Sequence, residues 1–267
     1  MASSVESDLA ALAGARIFFG HQSVGDNILQ GVSELLVHQP DALTIELLPG
    51  TAAPDPAIRS GRAGSAERVT RNAPHERAVL AHAKIGLNED PSSKCDDFRR
   101  IIDQGLAGPV DVALFKFCYI DIQPGTDVEA LATTYLSCLD ALARRHPKTA
   151  FLPVTVPLRQ SPSGPGVWAR QLLGRTNQAK VANARRYAFN QQLRTRYAGR
   201  PLFDLAATEA TGADGSRETF ALAGTIGESL RAAYTDDGGH LNAAGRAAAA
   251  IELLHALASA VRMAHPR

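Results

Sequence analysis

The chain has 267 residues, 45% of them hydrophobic and 21% charged, enough to bury a core and too apolar for global disorder. Its formal net charge of +1 gives no reason to expect a surface built for nucleic acid or for a membrane. Three cysteines without a C-x-x-C pair exclude a cysteine-rich zinc site, and the odd count fits a reducing compartment, with the cytoplasm as default.

The opening stretch MASSVESDLAALAGAR carries two acidic residues, no basic region and a short, interrupted apolar part. Neither a signal peptide nor a membrane span is expected from it, or from the rest of the chain. ARIFFG (15–20) reads as a buried strand. Ile28, Leu29, Val32, Leu35 and Leu36 then recur at helical spacing and predict a helix over 26–37. LTIELL (43–48) is a second strand. From 49 to about 74, Gly, Pro, Ala and Arg dominate without periodicity, which predicts a long loop of the kind that is often functional.

AVLAHAKIG (78–86) suits strand and helix equally. Residues 94–106 suit a helix, and DVALFKFCYI (111–120) a strong buried strand. Thr126-Asp127-Val128-Glu129 matches a capping box, followed by a helix with Val128, Leu131, Tyr135, Cys138 or Leu139, and Leu142 on one face. TAFLPVTVP (149–157) is a further strand. A Gly/Pro/Ser loop at 161–166 leads to a polar helix ending near Tyr197. PLFDL (201–205) reads as a short strand, and 241–262 as a closing helix with Ile251, Leu254, Ala258 and Val261 aligned.

Strands separated by helices imply the α/β class, a parallel sheet with helices on both faces. No repeat or linker divides the chain, so 1–267 reads as one domain with a core at about 15–262. Sites in such sheets lie beyond the carboxyl ends of the strands. Segments 20–25, 49–51, 86–90, 118–123 and 156–159 should therefore meet on one rim.

Ser23 stands just past the first strand and just before the first helix. The unpaired N–H groups of a helix start suit stabilisation of an oxyanion beside a serine nucleophile. Read alone, the stretch is more readily a turn in which Ser23 or Asp26 caps the helix. The stretch YTDDGGHLNAAG (234–245) changes the balance. Asp237 and His240 are bridged by two glycines, which lets the carboxylate reach Nδ1 of the imidazole while Nε2 faces outward. Alone, this too reads as an Asp/Gly turn with a surface histidine.

Taken together, FFGHQSVGDNI and DGGHLNAAGRAA resemble the SGNH, or GDSL-like, hydrolase family over about 15–262. The resemblance implies a three-layer α/β/α, flavodoxin-like fold. It also implies a triad of Ser23, His240 and Asp237 that cleaves a carboxylic ester through an acyl-enzyme, without a cofactor or metal. Short acyl groups, such as acetyl on a carbohydrate, are the implied substrates, with no nucleic-acid or membrane partner. This chain departs from the family twice. Gly20-His21-Gln22-Ser23 stands where relatives have G-D-S, which marks a divergent subgroup. Ile120 in Cys118-Tyr119-Ile120-Asp121 falls where an oxyanion Asn is usual.

The donors implied in its place are the Gly86 N–H, the Asn88 side chain and Gln22, although 86–88 also suits an ordinary turn. His21 would flank the site and either bind substrate or hydrogen-bond a loop. Asp121 and Tyr119 would sit at the rim or brace it. His75 and His82 read as ordinary surface or core histidines. No H-E-x-x-H pattern supports a metal centre. Arg59, Arg62, Arg68, Arg71 and Arg77, and Lys180, Arg185, Arg186, Arg194 and Arg196, read as solvated faces or as a groove for a polar substrate; Trp168 would line that groove or pack against the domain. An O-acyltransferase on the same triad, and a non-catalytic binding module that kept the fold, are the alternatives. Oligomeric state is not legible.

Overall fold

Five parallel strands form the centre of the protein in a computed structural model that describes residues 2–48, 77–161 and 177–264. In chain order these are β1 (Arg16–His21), β2 (Leu43–Leu47), β3 (Ala78–Lys84), β4 (Val112–Phe115) and β5 (Ala150–Leu152). Their spatial order is β2-β3-β1-β4-β5. β1 pairs with β3 from Arg16 opposite Val79 to His21 opposite Lys84, and with β4 from Ile17 opposite Val112 to Gly20 opposite Phe115. The ambiguous segment at 78–86 is thus a central strand, because both its faces are covered. A flavodoxin-like order would put the second strand beside the first; here β2 takes the edge outside β3.

Strand alternation sorts the core into two faces. Ile17, Phe19, Leu80, Val112 and Leu114 pack with α1 (Ala2–Leu12), α2 (Ser23–Leu35) and α7 (Ala243–Ala264). Phe18, Ala81, Ala83, Ala113 and Phe115 pack with α3 (Pro91–Asp103), α4 (Val128–Arg145) and α5 (Gln178–Arg196). Phe98 of α3 stacks on Phe115 at 4.5 Å between ring centroids. This is a three-layer α/β/α fold. α7 is the one described helix long and apolar enough to cross a membrane by length and composition; here its apolar residues pack against α1, α2 and the sheet.

Several expectations are corrected. The helix expected from 26 begins at Ser23. Gln22 is its N-cap, with no side-chain capping bond, so neither Ser23 nor Asp26 caps it. The strand expected over 111–120 stops at Phe115, whose carbonyl accepts from the Tyr135 hydroxyl; the chain then turns through a 3₁₀ segment, Tyr119–Asp121. α4 is capped by Asp127, which accepts from the Ala130 N–H, and Thr126 accepts instead from Gln123. The strand at 149–157 is shortened to β5, since the Val154 N–H is taken by the Tyr135 hydroxyl. The strand at 201–205 is a single parallel bridge between Phe203 and Val154, after which Asp204 caps α6 (Leu205–Ala210).

No expectation from the sequence covers α1, α6, β6 or β7. α1 buries Leu9 and Leu12 in the core cluster that it shares with α7. β6 (Thr219–Leu222) and β7 (Thr225–Glu228) form a hairpin whose loop residues, Ala223 and Gly224, both have positive φ. The expected loop at 49–74 and all but the first residue of the one at 161–166, together with Arg59, Arg62, Arg68, Arg71, His75 and Trp168, lie outside the described residues.

Candidate active site

β1 is the point from which the chain pairs to both sides, with β3 and with β4. In an open parallel sheet a crevice forms at the carboxyl ends of such strands. Ser23 sits there as the first residue of α2. The loop after the 3₁₀ segment Ala232–Tyr234 reaches it from the far end of the chain, anchored where Asn27 of α2 accepts from the Leu241 N–H at 3.1 Å.

That loop holds its own shape. Asp237 Oδ1 accepts from the Gly239 and His240 N–H groups at 2.8 Å each, and Gly238 takes φ of +80°, which favours glycine. Asp237 Oδ2 lies 2.6 Å from His240 Nδ1, and His240 Nε2 lies 3.1 Å from Ser23 Oγ. A carboxylate only accepts, so Nδ1 carries the proton and Nε2 presents its lone pair to the hydroxyl. The hydrogen bonds from His240 hold the Asp237 carboxyl well below the usual carboxylate range. The pair is half-exposed, so this bears on the ionisation state of Asp237 and little on global stability. Tyr119 packs edge-on against the imidazole, with centroids 6.1 Å apart, and Arg159 lies over the other partner of that contact, the Tyr119 ring, at 5.3 Å.

The neighbouring residues are engaged differently from the sequence expectation. The Gly86 N–H donates to Asp97 Oδ2 at 2.8 Å and is not free for a ligand. Glycine is required at 86 because φ is +56° and a Cβ would stand 2.5 Å from the Lys94 nitrogen. Both Gln22 amide hydrogens are spent on carbonyls, those of Ile85 and Gly86, at 2.8 Å. His21 is wholly buried under α2 and flanks no open surface; burial lowers its pKa to about 4. Asn88 is exposed. Its Oδ1 faces Lys94 Nζ at 3.4 Å, which leaves the amide hydrogens uncommitted.

Asp121 braces the rim. Buried, it accepts from Lys94 Nζ at 2.6 and 2.5 Å, from the Glu89 N–H and from the Cys118 N–H. Lys94 had a readable signal, since it lies on the stripe of α3 that also buries Phe98 and Ile101. Two arginines expected on solvated faces are built in. Arg186 binds the carbonyls of Tyr119 and Ile122, and Arg194 pairs with Asp204 and Glu228. Among the described residues, no group of three His, Cys, Asp or Glu is placed to hold a metal ion.

Fold and site together define an α/β protein with a hydrogen-bonded serine–histidine–aspartate array at the carboxyl edge of its sheet. No family model and no curated protein matches the chain. Among solved structures it is similar to a candidate platelet activating factor from Streptococcus pneumonia, at 14% identity and a TM-score of 0.46, over 94% of this chain and 88% of that one. It is also similar to a candidate lipolytic protein of the G-D-S-L family from Desulfitobacterium hafniense DCB-2, at 7% identity and a TM-score of 0.45, over 90% of this chain and 99% of that one.

Proposed function

We propose that the protein is a serine esterase of the SGNH/GDSL-like kind. The observation that carries this reading is the continuous array from Ser23 Oγ through both nitrogens of His240 to Asp237. Ser23 Oγ attacks the ester carbonyl while His240 Nε2 takes its proton. Asp237 orients the ring and stabilises the imidazolium that forms. As the C–O bond breaks, His240 returns the proton to the departing alcohol and leaves an acyl group on Ser23. Water, activated by the same imidazole, then releases the acid.

The oxyanion forms at the start of α2, where the first N–H groups lack intrahelical partners. The Ser23 N–H and the uncommitted amide of Asn88 are the proposed donors, in place of Gly86 and Gln22. The chemistry calls for no cofactor. A short acyl ester, acetyl on a carbohydrate in the first instance, is the proposed substrate class.

A fluorophosphonate probe located by mass spectrometry tests the reading. The adduct is expected on Ser23 and is expected to disappear in Ser23→Ala and His240→Ala. Labelling elsewhere, or none alongside no turnover of p-nitrophenyl acetate, refutes it.

A further inference from the structure

Beneath the proposed nucleophile lies a pair of histidines that the reaction does not use. His21 Nδ1 is 2.9 Å from the Gln22 carbonyl oxygen, and His21 Nε2 is 2.9 Å from His82 Nδ1. Burial holds the His21 ring neutral, and in a neutral ring these two contacts fix the tautomer. A carbonyl can only accept, so His21 Nδ1 is the N–H, and Nε2 is left as a lone pair. His82 Nδ1 must then be a donor. A single hydrogen-bonded path runs from half-buried His82 on β3, through buried His21 on β1, to the carbonyl of residue 22.

That carbonyl is the structural start of α2. It accepts from the Gly25 N–H at 2.7 Å and from the Asp26 N–H at 3.3 Å, which closes the turn that carries Ser23. The His21 ring lies so close under this turn that a Cβ at residue 25 would come within 2.3 Å of it, so the glycine there is the space the ring occupies. The Gln22 side chain clamps the same turn to the segment that follows β3, through the Ile85 and Gly86 carbonyls. The charged groups facing the pair are Asp26 from α2, Lys84 from β3 and Lys116 just after β4.

We infer that His21 and His82 are positioning residues for the serine, a pair of neutral imidazoles whose locked tautomers hold the Gln22 carbonyl and with it the angle of the nucleophile turn. This rests on the reading of Ser23 as nucleophile, and the tests separate the two.

Proton–nitrogen correlation spectra of histidine-labelled protein at neutral pH are expected to show His21 as a neutral imidazole protonated at Nδ1. A proton on its Nε2, or an imidazolium, overturns the inference whatever the enzyme does. With p-nitrophenyl acetate, His82→Phe is expected to lower kcat roughly tenfold to a hundredfold with KM little changed, as a small misplacement of a reacting group does. His82→Asn, whose Nδ2 stands where Nδ1 stood, should recover most of the loss. Wild-type kcat in His82→Phe, a change in KM alone, or an equal loss in both variants refutes the positioning role. Failure of the wild type to label at Ser23 would sink the nucleophile reading instead. The tautomer spectrum, together with faster hydrogen exchange at the Gly25 amide in His82→Phe, would then decide whether the pair holds the turn.

Discussion

Two histidines near Ser23 stand in opposite surroundings. His240 is half-exposed and has a carboxylate at 2.6 Å, whereas His21 is sealed beneath α2. Replacing Asp237 by Asn leaves the loop bonds available but removes the partner that sets the tautomer. We expect a loss in kcat of about a thousandfold or more, with the fold unchanged by circular dichroism. His21 makes a different prediction. Burial lowers its pKa from 6.5 to about 4, so the folded state resists a proton that the unfolded chain accepts. Its contribution is complete above about pH 6.5 and is lost as pH falls through 4, a change of about 3 kcal/mol. Urea unfolding across that window should show a shallower slope in His21→Asn than in the wild type.

At the scale of elements, the site depends on how three strand ends are finished. β1 ends on the turn of Gln22 and Ser23, β3 on a loop bound to Asp97 and Lys94, and β4 on a 3₁₀ turn closed by Asp121. The buried Lys94–Asp121 pair joins the last two. Removing only the lysine, as in Lys94→Met, leaves a buried carboxylate that keeps just two backbone donors, and should cost roughly 3–5 kcal/mol in denaturant unfolding. The double variant Lys94→Met with Asp121→Leu should not add the two single losses, because each change removes the reason the other is costly. Strict additivity would show that the pair does not couple the loops. The shortened β4 has the same origin, since side chains of α4 and of the rim claim backbone groups that a longer strand would have paired.

At the scale of the whole molecule, an acidic group is held inside. Glu209 of α6 is buried and accepts from the Leu158 N–H at 2.5 Å. Burial pushes its pKa from 4.5 up to about 8. A raised carboxyl stabilises the fold below its unfolded pKa and loses that contribution as pH rises to about 8. Thermal unfolding of the wild type should therefore weaken across that range, and Glu209→Gln should flatten the decline. An unchanged slope in the variant would assign the alkaline loss to another group.

The local pattern of residues determined the alternation of elements, the central strand at Ile17-Phe18-Phe19 and the closing helix, because burial on both faces writes itself into apolar runs and helical spacing. The two stretches FFGHQSVGDNI and DGGHLNAAGRAA, read together, also brought Ser23, Asp237 and His240 into one hypothesis that neither supported alone. Tertiary structure alone decided the rest. Gly86 and Gln22 became braces because Asp97 and two carbonyls claimed their hydrogens, and His21 became a buried support because Gly25 leaves room for its ring. Which donor is free, and which is already bound, depends on partners 11 to 64 residues away in the chain, and no local pattern encodes that.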